Sequence, residues 1–212
     1  MTSAEQVVTA RELALPKNAQ EALRKGRERL YEKRDPASSL GYFAKVLKLS
    51  PDFYEADYYT GMAHLFQNQF ADAERSFRAA IAASHDQYGE AFVGLATVLS
   101  STNQFAEAET NARMGLRLQP DSWQGYLELA RAQLGMNRAV EAEKSAMEAR
   151  QRKPDFADLY ITLVNIHIRM RNSGALLQDV DAYLKLAPNG QYSSQIRRIR
   201  EQITSAKPSG EF

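Results

Sequence analysis

No cysteine occurs among the 212 residues, which excludes disulfide frameworks, thiolate metal sites and thiol nucleophiles without naming a compartment. Surplus charge is lacking too. With 27 Lys and Arg against 26 Asp and Glu, the formal net charge is +1, far from the basic excess of a dedicated nucleic-acid binder. No apolar run approaches the roughly 18 residues of a membrane span, and the opening MTSAEQVVTARELALP has neither a basic leader region nor an unbroken apolar stretch. As written, the chain is expected to stay in the cytoplasm, whereas a piece of an exported precursor would be periplasmic or extracellular.

Catalytic and cofactor chemistry is equally sparse. No glycine-rich phosphate loop is present, and GMNRAVEAEKS reads as a turn and helix start. His64, His85 and His167 stand at no metal-ligand spacing, so neither metal nor cofactor is expected. Two of them, His64 and His167, share one place in a repeat, which argues for packing. Acidic residues are many, but no feature brings two together, so no catalytic residue is nominated and the chain is not expected to be an enzyme. The basic clusters Arg24 to Arg34 and Arg197 to Arg200 are interleaved with Glu28, Glu32 and Glu201 and read as solvated helix faces.

What the chain does contain is repetition. NQFADAE begins at Asn68, NQFAEAE at Asn103 and NRAVEAE at Asn137, spaced by 35 and 34 residues. Five repeats follow from this register, starting at Gln20, Tyr54, Gly89, Trp123 and Ala157. Pro51, Pro120, Pro154 and Pro188 fall at one place near the repeat end, with His85 where the second repeat's proline would be. Proline cannot continue a helix and biases the residue before it away from helix, so each marks a helix stop. Apolar residues recur at spacings of three and four in two blocks, such as Phe92, Leu95, Ala96, Leu99 and then Ala108, Ala112, Leu116. Each repeat is therefore two amphipathic helices joined by a polar turn. Ala73, Ala108 and Ala142 place a small residue where the two helices cross. Two helices bury too little surface alone, so such repeats stack on their neighbours.

At these residues the sequence resembles the tetratricopeptide repeat. The second repeat supplies Gly61, Ala73 and Phe77; the third Phe92, Leu95, Ala108 and Pro120; the fourth Tyr126, Leu129, Ala142, Ala149 and Pro154; the fifth Tyr160, Leu163 and Pro188. Departures are Asp57 in the usual aromatic place of the second repeat, Gly26 and Arg27 in place of Leu-Gly in the first, and Leu176 in place of the small residue in the fifth. The opening segment also looks like the start of some bacterial members. The resemblance implies an all-α, right-handed α-solenoid of helix-turn-helix repeats with a C-terminal capping helix. The expected division is an N-terminal extension over 1–19, repeats over 20–53, 54–88, 89–122, 123–156 and 157–190, a capping helix over 191–206 carrying Ile196, Ile199 and Ile203, and a flexible tail over 207–212. Val7, Val8, Leu13 and Leu15 ahead of Pro16 either cap the first repeat or lie in a groove. Capping is the expectation, because an end repeat otherwise exposes apolar surface.

The resemblance further implies a concave groove lined by first-helix residues at positions 2, 5, 6, 9, 12 and 13 of each repeat. In the second repeat these are Glu55, Tyr58, Tyr59, Met62, Leu65 and Phe66. Glu21, Arg24, Glu28 and Tyr31 come before it; Val93, Thr97, Leu127, Glu128, Arg131, Ile161, Asn165 and Arg169 come after. Tyr58, Met62 and Phe66 read either as anchors for a partner or as internal packing. The family's clamp for a chaperone's terminal carboxylate is not expected, because Tyr59, Glu90 and Glu128 stand where cations or amides are needed. The function implied is non-catalytic binding of a protein or peptide segment in the groove, through Tyr58, Tyr59, Met62, Phe66, Val93, Thr97, Leu127, Glu128, Arg131 and Asn165. The alternatives are a self-associating homo-oligomeric scaffold and an RNA-binding helical repeat. No nucleic acid and no membrane span are expected.

Overall fold

The computed structural model describes residues 9–205, so the tail over 207–212 and Val7 and Val8 lie outside the described residues. Two compact bodies divide the chain, residues 1–102 and 103–212. The first contains α1 (Ala10–Ala14), α2 (Lys17–Arg27), continued by a π-helical turn over Glu28–Glu32, α3 (Pro36–Leu49), α4 (Tyr54–Phe66), α5 (Phe70–Ala83) and α6 (Gly89–Ser101). The second contains α7 (Phe105–Leu118), α8 (Trp123–Gly135), α9 (Ala139–Arg152), α10 (Ala157–Met170), α11 (Ser173–Leu186) and α12 (Ser193–Ser205). No strand occurs among the described residues; the fold is all-α, a helical-repeat solenoid in class. Within each body successive helices from α2 onward pack on one another. First helices of neighbouring repeats also touch, α4 on α6 and α8 on α10.

Turn geometry explains the repeated asparagine. In every repeat the backbone between first and second helix passes through one left-handed residue: Arg34 (φ 51°), Asn68 (58°), Asn103 (61°), Asn137 (63°) and Arg171 (55°). Asparagine tolerates this conformation better than most residues with a Cβ. The helix stops vary as well. Where the second repeat lacks proline, the chain turns through two further left-handed residues, His85 (52°) and Asp86 (60°). The loop from α5 to α6, residues 84–88, is one residue longer than those after α3, α7 and α9, and it accounts for the 35-residue step.

The first repeat hides a second inserted residue. A Cβ on Gly26 would stand 2.5 Å from the Phe43 ring, as one on Gly61 would stand 2.8 Å from the Phe77 ring. The two phenylalanines are 34 residues apart and the two glycines 35. The extra residue is absorbed in the π-helical turn, where Lys33 N donates to Glu28 O at 3.0 Å, because π-helical winding places one more residue in a turn. The Leu-Gly departure is thereby corrected: Gly26, not Arg27, fills the close-packing place.

The cores follow from the same periodicity. In the first body Leu23, Leu30, Phe43, Val46, Ala56 and Ala63 form a cluster that Leu15 joins from the N-terminal segment, while Phe77 wedges between Gly61 and Gly94. In the second body Leu127, Leu159, Leu163, Ile166, Val180 and Tyr183 pack together, and α12 lays Ile196, Ile199 and Ile203 against them. Full burial of a side chain of this size contributes about 1.5–3 kcal/mol. Ala73, Ala108 and Ala142 are fully buried, and Leu176 is buried in the fifth repeat as well. A larger side chain is accommodated at that crossing.

Candidate functional site

In the second body α8 and α10 line an open cleft of about 610 Å³. Helix α10 contributes Asp158, Ile161, Thr162, Asn165, Ile168 and Arg169, which are positions 2, 5, 6, 9, 12 and 13 of the fifth repeat. Arg131, Leu134 and Gly135 come from α8, with Phe105 and Tyr192 at the margins. Its charge is mixed. Arg131 donates to Glu128 on its own helix at 2.7 Å, and Arg169 donates to Asn137 Oδ1 at 2.8 Å. Ile168 is 46% exposed and Tyr192 37%, beside the exposed polar residues Asp158, Asn165 and Arg169.

In the first body the corresponding face of α4 carries aromatic residues. Phe66, 49% exposed, meets Tyr31, 41% exposed, edge to face with ring centroids 6.2 Å apart. Tyr59 stacks on Phe43 at 5.5 Å and lies beneath the Arg27 guanidinium, 5.7 Å from the ring. Met62 is partly buried against the core.

Not every nominated side chain reaches open surface. Tyr58 is half-buried, held between Tyr88 and Phe77 with ring centroids at 5.4 and 5.8 Å, and burial raises its phenol well above the ordinary tyrosine range. Val93, Leu127 and Glu128 are buried at 8%, 2% and 5% exposure. Leu127 belongs to the core of the second body. Thr97 is half-buried and donates its hydroxyl to Val93 O at 3.0 Å. Arg131 and Asn165 face the cleft. Ile168 and Tyr192 were not among the nominated residues. Ile168 stands at position 12 and is recoverable from the register; Tyr192 lies beyond the last repeat, where no period applies.

Two histidines have structural partners. His64 Nδ1 stands 2.6 Å from Gln69 Oε1 across the turn. His167 is buried between α9 and α11, its Nδ1 2.5 Å from Asp179 Oδ2 and its Nε2 3.0 Å from Glu143 Oε1. Arg150 adds a longer contact to Asp179 at 3.7 Å. Burial pushes the Asp179 carboxyl above its ordinary range, against the pull of His167.

Paired helices repeating every 34 or 35 residues, with first helices lining an open face, define a helix-turn-helix repeat protein. The family model described as tetratricopeptide repeat matches residues 24–88 and 61–102, so tetratricopeptide repeats are shown over that stretch. Similar solved structures include a thermophilic tetratricopeptide-repeat protein of Thermus thermophilus, 18% identical, with a TM-score of 0.72 over 88% of this chain and 98% of that one. PilF of Pseudomonas aeruginosa is 12% identical, with a TM-score of 0.74 over 89% and 85%. YrrB, described as a tetratricopeptide-repeat protein with an unusual peptide-binding site, is 17% identical, with a TM-score of 0.60 over 85% and 92%. Among curated proteins, human protein O-mannosyl-transferase TMTC3 is 24% identical over 168 residues, which cover 71% of this chain and 18% of that protein. The chain thus spans under a fifth of that relative's length. The repeat fold is typical of protein–protein interaction modules and is generally a non-catalytic scaffold. Among the described residues no helix is long and apolar enough to cross a membrane.

Proposed function

We propose that the chain is a non-catalytic module that binds a protein or peptide segment on the open faces of its first helices. The observation that carries this reading is the exposure of Phe66 and Ile168 on first helices, of Tyr31 in the turn that continues α2, and of Tyr192 at the margin of the cleft beside Ile168. Large apolar side chains clustered on a soluble surface mark contact sites more often than chance, and aromatic residues dominate such contacts energetically. Around them Arg131, Asn165 and Arg169 supply polar selectivity. The description of YrrB supports a peptide as one form of ligand. Mixed charge in the cleft favours a protein over a nucleic-acid backbone, which needs a cationic track.

The test is affinity capture from a lysate with the native chain, with Tyr31→Ser/Phe66→Ser and with Ile168→Ser. The module reading expects captured proteins to fall away in at least one variant while helicity is unchanged. Identical capture by all three chains contradicts it.

A further inference from the structure

We propose that residues 9–16 are a displaceable self-ligand seated on the open face of the first two repeats, so that a partner must exchange with them to reach Gln20, Arg27 and Glu55. The proposal rests on the reading of that face as a protein-binding surface. Placing Gly26 at the close-packing position moves the first repeat's register by one residue, and Gln20 and Arg27 then stand at positions 2 and 9. Glu55 is position 2 of the second repeat. Their counterparts on α10, Asp158 and Asn165, line an open cleft. Here the N-terminal segment uses all three. Gln20 Nε2 donates to Leu13 O at 3.2 Å and Leu15 O at 2.8 Å. Arg27 donates to the Glu12 carboxylate, which is buried at 7% exposure. Arg11 donates to Glu55 Oε1 at 3.1 Å and to Asp52 O at 2.8 Å, with its guanidinium 4.3 Å from the Tyr54 ring centroid.

The segment is built to leave. Helix α1 has five residues, too few to persist without its contacts. Leu15 is its one buried apolar anchor, while Leu13 is 68% exposed and the Arg11 side chain 45% exposed. The seat therefore suits a short segment in which a basic and an acidic residue are followed, three residues on, by leucine.

The probe is a fluorescein-labelled peptide of residues 9–16, titrated by anisotropy into the full chain and into full-length Arg11→Ala/Glu12→Gln/Leu15→Ala. The variant is expected to bind it at least tenfold more tightly than the native chain, whose seat is filled. Adding Glu55→Arg should abolish binding, and a peptide with Arg11→Glu should restore it. If the triple variant loses helicity, Arg11→Ala/Glu12→Gln carries the test. Equal binding by native and variant chains overturns the proposal. So does an absence of binding, or unchanged hydrogen-exchange protection of residues 10–15 in the variant. Capture of a partner through Phe66 and Ile168 is a separate readout, so failure of the self-ligand leaves the module reading standing.

Discussion

At the scale of the residue, the left-handed turn position separates what the sequence shows from what it conceals. Asn68, Asn103 and Asn137 advertise the turn because asparagine is suited to it. Arg34 and Arg171 occupy the same conformation without any such signal of their own; Asp35-Pro36 and Asn172-Ser173-Gly174 mark those turns but not which residue is left-handed. The left-handed region costs a residue with a Cβ roughly 1 kcal/mol, and Arg171 is exposed. Arg171→Gly should therefore stabilise the chain by about 0.5–1 kcal/mol, read as a higher urea midpoint with unchanged slope. Gly94→Ala should do the reverse. Its Cβ would meet the fully buried Phe77 ring at 2.5 Å, and overpacking of this kind costs about 1–3 kcal/mol.

At the scale of the element, one polar set ties three helices together. His167 on α10 joins Glu143 on α9 to Asp179 on α11. Removing the imidazole takes the close hydrogen-bond partner from the buried Asp179 carboxyl, so His167→Ala should cost about 1–3 kcal/mol by denaturant unfolding. His167→Phe/Asp179→Leu should recover a large part of that loss. Helix α4 predicts a pH effect. Burial raises the Asp57 carboxyl from 3.8 to about 6. A group whose folded value is raised stabilises most below its unfolded value, and that contribution is lost as pH climbs from about 4 through 6. Asp57→Asn should match the native stability at and below about pH 4, exceed it increasingly as pH climbs to about 6, and keep a constant margin above that, as thermal unfolding across that range would show. The repeat register marks Asp57 as out of place but carries no measure of its burial. The π-helical turn is hidden too, because an inserted residue inside a helix leaves no proline or glycine behind, and only the Gly26–Phe43 and Gly61–Phe77 contacts show where the count shifts.

At the scale of the whole molecule, a 34-residue period was enough to read paired helices and their turns, with the groove side of each first helix implied by the family resemblance. It could not tell which open-side residues are truly open. Leu127 and Glu128 stand at groove positions yet are buried, because packing between neighbouring repeats, not helix phase alone, sets exposure. Exposed apolar surface also serves self-association, and light scattering across a wide concentration range addresses it; the module reading expects one molar mass throughout. The most direct test of the central claim is hydroxyl-radical footprinting of the chain with and without a captured partner. Phe66, Tyr31, Ile168 and Tyr192 should lose labelling on binding, while Val140 and Met147, exposed on the second helix α9, should keep theirs. Protection of Val140 and Met147 with those four residues unchanged would contradict the account.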